Sequence, residues 1–128
     1  MVTGGRDFED LDLARAALGQ VASVGSILIA GGARGADEAA RRIWHYEFQL
    51  PYVVHPAPWE RVGKGAGYRR NGAMVRGTSL SPWYLGLKPT VVVAFPGGRG
   101  TAHAVETARK NNIWVISAED LATRKDNS

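Results

Sequence analysis

The chain has 128 residues, 45% of them hydrophobic and 22% charged, which is typical of one globular domain. It contains no cysteine, which excludes structural disulfides, thiolate zinc sites and cysteine nucleophiles. The net charge of +4 favours anionic partners, either small phosphates or a nucleic acid backbone, although a small excess of basic residues also serves solubility alone. No signal peptide and no apolar run of bilayer length is evident, so we expect a cytoplasmic protein without membrane association.

Short, β-branched apolar runs alternate with helical patterns along the chain. The predicted strands are a short one at 1–3 and four longer ones at 26–32, 51–58, 90–98 and 112–117. Apolar spacings of three and four predict helices at 11–21, 36–44, 67–76 and from 101 onwards. Continuous apolar strands are typical of a parallel sheet buried on both faces. The sequence therefore predicts an α/β fold, a Rossmann-like three-layer sandwich with a mostly parallel sheet.

We expect residues 1–123 to form a single domain and residues 124–128 to form a flexible tail. We predict that Asp7 or Asp10 caps the first helix and that Thr101 caps the fourth. The segment 77–89 is long for a connection, and it is predicted either to cover part of the core or to act as a lid or interface.

Three glycine-rich turns share one design: a strand, paired glycines, an arginine and the start of a helix. They are "VTGGRDF" (2–8), "IAGGARGAD" (29–37) and "AFPGGRGTA" (94–102). In a parallel sheet such turns lie on the carboxyl edge, where doubly wound folds bind ligands. Glycine lets the backbone approach a ligand closely, and bare amides at a helix N-terminus attract phosphate. None of the turns has the Walker A spacing or a full dinucleotide fingerprint, so the pattern favours another kind of nucleotide or anion pocket.

A fourth segment, "PAPWERVGKGAGYRRNGAM" (56–74), adds basic and aromatic residues to this set. Trp59 is predicted to stack on a base or to pack in the core, and Arg70 and Asn71 to reach ribose or phosphate from the start of a short helix. His103 is predicted to donate to phosphate, whereas His55 is expected to be a structural residue with its hydrogen bonds satisfied. We predict no cofactor and no metal site, because the three histidines are scattered. The predicted ligand-binding residues are Gly4, Gly5, Arg6, Asp7, Gly31, Gly32, Arg34, Gly35, Asp37, Trp59, Lys64, Arg70, Asn71, Pro96, Gly97, Gly98, Arg99, Gly100, Thr101 and His103.

Taken in order, "VTGGRDF", "GGARGAD", "PAPW…GKGAGYRRN" and "VVVAFPGGRGTA" resemble the YspA-like, cpYpsA-related branch of the SLOG superfamily. The resemblance covers nearly the whole chain, and this branch consists of small bacterial and phage proteins. The superfamily includes the LOG-type phosphoribohydrolases, the DNA-processing protein DprA and sensor domains for nucleotide-derived signals. The resemblance implies a Rossmann-like fold with a nucleotide-type ligand at the glycine turns.

The resemblance breaks down at the catalytic positions of the phosphoribohydrolases. Their motif P-G-G-x-G-T-x-x-E is kept here at Pro96–Thr101, but the glutamate position is Ala104. Their Arg-Lys-x-x-Met stretch keeps Arg70 and Met74 here but has Asn71 in place of the lysine. Cleavage of an N-glycosidic bond needs a carboxylate, so we predict no catalytic residue from these motifs and leave enzymatic activity open.

Three carboxylates could replace the missing glutamate. Glu106 lies two residues beyond Ala104, about 200° around the helix, and is predicted to point elsewhere. Asp7 and Asp37 lie at the predicted glycine turns, and Asp37 has the simpler interpretation that it braces its turn.

Three functions follow from these observations. The first is binding of a nucleotide-derived ligand, such as an ADP-ribose-like or cyclic nucleotide signal, by a sensor or a sequestering protein. The second is a LOG-like nucleoside 5′-monophosphate phosphoribohydrolase with a displaced carboxylate. The third is DprA-like binding of single-stranded DNA, which the charge permits but which needs a basic groove with stacking aromatics. A homo-oligomer remains open in all three.

Overall fold

The computed structural model describes residues 1–57, 65–78 and 86–124. In these residues strands and helices alternate along the chain. The strands are β1 (Val2–Thr3), β2 (Leu28–Ala30), β3 (Tyr52–Val54), β4 (Val91–Ala94) and β5 (Trp114–Ser117). The helices are α1 (Leu11–Val21), α2 (Ala36–Arg42), α3 (Ala66–Arg76), α4 (Arg99–Lys110) and α5 (Ala118–Ala122), and α2 continues into a π-helical turn over Ile43–Glu47.

The strand ladders in the described residues are all parallel. β1 pairs with β4 and β4 with β5, while β2 pairs with β3 in a separate ladder. β1 and β2 are neighbours, which gives the spatial order β3–β2–β1–β4–β5. In this doubly wound arrangement the strand order reverses between β1 and β4. The predicted Rossmann-like α/β fold with a mostly parallel sheet is therefore confirmed.

Helices cover both faces of the sheet and form two apolar cores. On one face α1, α2 and α5 pack together around Leu18, Ile43 and Val93. On the other face α3 and α4 pack around Met74, Val92 and Ala108. The neighbours Val92 and Val93 thus point to opposite sides of β4, as the alternation of a strand requires. In this three-layer arrangement the turns that follow the strands lie at the carboxyl edge of the sheet.

Several element boundaries differ from those predicted. Asp10, rather than Asp7, caps α1, because its Oδ1 accepts a hydrogen bond of 3.0 Å from the Leu13 amide. α4 begins at Arg99 with Gly98 as its N-cap, so the prediction that Thr101 caps this helix is wrong. α5 was not predicted, because a helix of five residues is too short to show an apolar period.

Residues 125–128, which make up most of the predicted tail, lie outside the described residues. The same holds for residues 79–85, the centre of the predicted lid or cover. Of the helices in the described parts of the chain, none is long and apolar enough to cross a membrane.

Candidate functional site

The three glycine turns meet at the carboxyl edge of the sheet. The Gly5 amide of the first turn donates a 2.8 Å hydrogen bond to the Pro96 carbonyl of the third turn. The Gly5 carbonyl in turn accepts a 3.0 Å hydrogen bond from Ala36, at the start of α2. The first turn therefore contacts both of the others, and it does so through its backbone.

Direct contact between the turns explains several of their glycines. A Cβ at Gly4 would collide with the Cβ atoms of Ala36 and Phe95, and a Cβ at Gly97 would collide with the Gly5 amide nitrogen of the first turn as well as with the Thr101 side chain. Gly35 has a φ of +80°, and a Cβ there would also meet the backbone of the first turn. The packing of the protein against itself is sufficient to require glycine at these positions, whatever the ligand.

Gly98 and Gly100 are different, because a Cβ at either position would meet no described atom within 4 Å. Both residues are exposed, and Gly98 is the N-cap of α4 with no side chain capping the helix. The first amides of a helix have no acceptor within the helix, and they carry the positive end of its dipole. The β4–α4 turn is therefore open to solvent and has bare amides available to an acceptor.

The turns and the first half of α3 surround a cavity of about 380 Å³. The predicted site residues that line it are Gly4, Gly5, Arg6, Asp37, Arg70, Asn71, Gly98, Gly100 and Thr101. The lining residues that sequence reasoning missed are Val2, Thr3, Ala33, Gly67, Tyr68 and Met74. The volume lies at the lower end of the range of about 300–1,000 Å³ that is typical of small-molecule sites.

A buried carboxylate and a half-buried guanidinium, those of Asp37 and Arg70, form one wall of the cavity. Asp37 is only 7% exposed, and its Oδ2 accepts a 3.4 Å hydrogen bond from the Ala33 amide. Burial raises the pKa of Asp37 to about 6, although the nearby Arg70 charge and hydrogen bonds from the Ala33 and Gly31 amides act in the opposite direction. A side chain at Gly31 would collide with both charged groups, so this glycine makes room for them. Asp37 thus braces its own turn, as the simpler interpretation of the sequence held.

The Arg70 guanidinium is held in a fixed position by its neighbours. Its Nη1 donates to the His55 carbonyl at 3.3 Å, and its Nε donates to Asn71 Oδ1 at 3.0 Å. Burial lowers the pKa of Arg70, the Asp37 carboxylate raises it, and the positive charge of Arg6 lowers it further. The guanidinium groups of Arg6 and Arg70 therefore lie close enough to repel each other at the cavity. A bound anion would reduce this repulsion.

Asn71 connects α3 to the turn before α4. It is only 4% exposed, and its Nδ2 donates to the Gly100 carbonyl at 3.2 Å and to His103 Nδ1 at 3.3 Å. Since Oδ1 also accepts from Arg70 Nε, three of the four hydrogen bonds that the Asn71 amide can make are formed within the protein. Asn71 was predicted to contact ribose or phosphate from the start of α3. It lies instead in the second turn of the helix, where it holds Gly100 and His103 in place.

His103 does not line the cavity, although it was predicted to contact phosphate. Its ring stacks on that of Tyr68, with centroids 4.2 Å apart and an angle of 18° between the planes. Tyr68, by contrast, does line the cavity. Tyr68 stands inside the segment "GAGYRRN", two residues before the predicted Arg70, and its place in that segment was the signal that could have revealed it.

The remaining predicted residues lie around the cavity or outside the described residues. Gly32 and Arg34 line a smaller neighbouring cavity of about 240 Å³ on the other side of Asp37. Trp59 and Lys64 lie outside the described residues. The predicted residues that are described but line neither cavity, besides Gly31 and His103, are Asp7, Gly35, Pro96, Gly97 and Arg99.

The positions tied to catalysis in the LOG-type motif do not supply a carboxylate to the cavity. Ala104 is fully buried in the core between α4 and the sheet. Glu106 is exposed and forms an ion pair of 3.0 Å with Lys110. The carboxylate that does line the cavity is that of Asp37.

His55 was expected to have its hydrogen bonds satisfied, and this expectation is wrong. The residue is 4% exposed, and its Nε2 has no hydrogen-bond partner among the described residues. Burial lowers the pKa of His55, and the charge of Arg70 acts in the same direction. The neutral imidazole avoids burying a second positive charge beside Arg70.

Comparison with known proteins identifies the family of this chain. A sequence model of the YspA, cpYpsA-related SLOG family matches residues 1–62, which include β1, β2 and the first two glycine turns. The chain is 36% identical over 129 residues to the Gene 61 protein of Mycobacterium phage D29, and the match covers 94% of this chain and 95% of that protein. No solved structure matches the chain significantly. Membership of this family indicates a nucleotide-related ligand or a role like those of LOG and DprA. On these grounds the chain belongs to the YspA, cpYpsA-related SLOG family.

Proposed function

We propose that this protein binds a nucleotide-derived ligand in the cavity at the carboxyl edge of the sheet. The ligand class includes ADP-ribose-like and cyclic nucleotide signals, which the protein would sense or sequester. The phosphate lies at the β4–α4 turn, where it accepts hydrogen bonds from the first amides of α4.

The observation that carries the proposal is the pair Gly98 and Gly100. The protein's own packing explains Gly4, Gly35 and Gly97, but it leaves open space where side chains at Gly98 and Gly100 would lie. A ligand group that comes close to the backbone accounts for both glycines, and bare amides at a helix N-terminus select a phosphate for that place.

Two arginines strengthen the site for an anion. Arg6 is exposed and lines the cavity, while Arg70 is fixed at its wall by His55 and Asn71. A guanidinium can hold two phosphate oxygens at once, and a charge-assisted hydrogen bond of this kind contributes about 1.5–3 kcal/mol. Arg6 has the freedom to close over a bound phosphate, whereas Arg70 supplies a fixed positive potential.

The charges also support one orientation of the ligand. The Asp37 carboxylate repels phosphate at pH 7, so the phosphate lies towards α4 and Arg6 rather than towards the second turn. A carboxylate at the start of the helix that follows the second strand is suited to accept hydrogen bonds from ribose hydroxyls. We therefore expect the ribose of the ligand to lie towards Asp37.

The test is thermal unfolding with a panel of the four ribonucleoside 5′-monophosphates, ADP-ribose, cyclic mononucleotides and cyclic dinucleotides. A ligand present at 100 times its dissociation constant stabilises the folded state by about 2.7 kcal/mol. Arg6→Ala should weaken the response about tenfold or more in dissociation constant. Arg109→Ala, an exposed arginine in the last turn of α4, is the matched control and should leave it unchanged. Equal responses in the two variants, or a flat panel with the unmodified protein, would contradict the proposal.

A second candidate function is hydrolysis of a nucleoside 5′-monophosphate at its N-glycosidic bond. The observation in its favour is Asp37, a buried carboxyl in the cavity whose pKa of about 6 suits a general acid or base near neutral pH. Asp37 would then take the place of the glutamate that Ala104 replaces. Release of adenine from adenosine monophosphate by this protein, and not by Asp37→Asn, would establish it. An equal background rate in both, with and without divalent cations, would end it.

A further inference from the structure

Tyr68 provides an aromatic surface at the cavity, and this surface is held in position by residues outside the cavity. The side chain projects from the first turn of α3 and stacks on His103 of α4 at 4.2 Å. The His103 ring is fixed in turn by Asn71, which donates to its Nδ1 at 3.3 Å. Stacking on a positioned partner restricts the Tyr68 ring to one plane.

His103 covers one face of the Tyr68 ring, and yet the residue remains 50% exposed. His103 leaves the opposite face of the ring uncovered, and Tyr68 also lines the cavity. If Tyr68 served only to connect α3 with α4, this second face could be packed against another side chain as well. Tyr68 instead keeps half of its surface exposed at the cavity, where a bound molecule can reach it.

Tyr68 differs chemically from the other residues that line the cavity. Arg6 and the first amides of α4 attract anions, and Asp37 and Arg70 carry charge, whereas Tyr68 offers a flat and uncharged ring. A planar heteroaromatic ring gains about 1–3 kcal/mol from stacking on such a side chain, with little dependence on which base it is. Ribose and phosphate have no aromatic face with which to make π-stacking contact.

We propose that the exposed face of Tyr68 stacks on the nucleobase of the bound nucleotide, so that the site selects nucleoside phosphates over bare sugar phosphates. This proposal rests on the proposed phosphate site at α4, and it adds the part of the ligand that gives selectivity. Tolerance for different bases follows from stacking alone, and purines gain more than pyrimidines because they cover more of the ring.

The experiment compares adenosine monophosphate, uridine monophosphate and ribose 5-phosphate by isothermal titration calorimetry. The unmodified protein should prefer adenosine monophosphate over ribose 5-phosphate by about 5- to 150-fold, with uridine monophosphate between them. Tyr68→Leu should abolish this preference by weakening the two nucleotides, and it should leave the affinity for ribose 5-phosphate within about twofold. Tyr68→Phe keeps the ring and should keep the preference.

Three results would overturn the proposal. The first is equal affinity of the unmodified protein for adenosine monophosphate and ribose 5-phosphate, a comparison that needs no variant to fold. The second is an equal loss for nucleotides and ribose 5-phosphate in Tyr68→Leu, which would mean that Tyr68 only holds α3 against α4. The third is failure of all three probes to bind, which would overturn the phosphate site at α4 together with the stacking surface. Binding of ribose 5-phosphate therefore distinguishes failure of the surface from failure of the phosphate site.

Discussion

The glycine at position 100 offers a test in which stability and binding should move in opposite directions. Gly100 is the second residue of α4, and a Cβ there would lie in open space. Gly100→Ala should therefore cost nothing in packing. Alanine favours a helix over glycine by about 0.5–1 kcal/mol, which for a domain of this size raises the melting temperature by about 2–5 °C.

Binding should be weakened by the same substitution. The added methyl group lies on the surface of the cavity, beside the amides that are proposed to donate to phosphate. Each charge-assisted hydrogen bond that is lost costs about 1.5–3 kcal/mol, which corresponds to a rise in dissociation constant of about 10- to 150-fold. A more stable protein that binds its nucleotide less well is the expected phenotype.

Gly19→Ala is the matched control for this test. Gly19 lies in α1, and a Cβ there also meets no atom within 4 Å, so the gain in helix stability should be similar. Urea denaturation measures stability in the two variants, and calorimetric titration with the best nucleotide of the panel measures binding. If Gly100→Ala binds that nucleotide as well as Gly19→Ala does, the first amides of α4 do not contact the phosphate and the reasoning is refuted.

Three further predictions concern the stability of the folded protein. Gly4→Ala should destabilise the protein by about 1–3 kcal/mol, measured by urea denaturation, because its Cβ would collide with Ala36 and Phe95; an unchanged midpoint would refute the packing argument. Asp37 has its pKa raised to about 6 in the folded state from an ordinary value of 3.8, so its contribution to stability is fully present below pH 4 and is lost as the pH rises through 6. Relative to Asp37→Asn, the unmodified protein should lose about 1.4 kcal/mol between pH 5 and pH 7.5, and parallel profiles of the two proteins would contradict the shift. Ser117→Ala removes the N-cap of α5 and should cost about 1 kcal/mol in thermal unfolding, whereas a loss below about 0.3 kcal/mol would show that the cap contributes little.

The strands and the edge at which the site lies could be predicted from the sequence, because both depend on local patterns. Continuous apolar runs such as 90–98 form strands buried on both faces, and the turns that follow parallel strands must lie at their carboxyl edge. The same local reasoning failed at the start of α4, where the preference of threonine for N-caps favoured Thr101. The backbone instead enters the helix at Gly98, another residue type that caps helices well.

The roles of the individual glycines could not be predicted in this way. Gly4 and Gly97 on the one hand, and Gly98 and Gly100 on the other, have the same appearance in the sequence. They differ only in whether another turn packs against them, and this depends on contacts between segments about 30 to 90 residues apart. The stacking of Tyr68 on His103 likewise needs α3 and α4 on the same face of the sheet. Buried pairs and stacks of this kind are properties of the assembled tertiary structure.

The strand order has a consequence for how this domain responds to a ligand. β2–β3 and β1–β4–β5 form separate ladders, so the boundary between β1 and β2 depends on side-chain packing and on contacts such as the bond from Ala36 to Gly5. The cavity spans this boundary, with Asp37 on one side and Gly98 on the other. A molecule that contacts both sides bridges two hydrogen-bonded units that no shared ladder joins. Ligand binding should therefore slow amide hydrogen exchange in β2 and β3 as well as at the glycine turns. The ligand would then make the whole sheet more rigid, and not only the residues that it contacts.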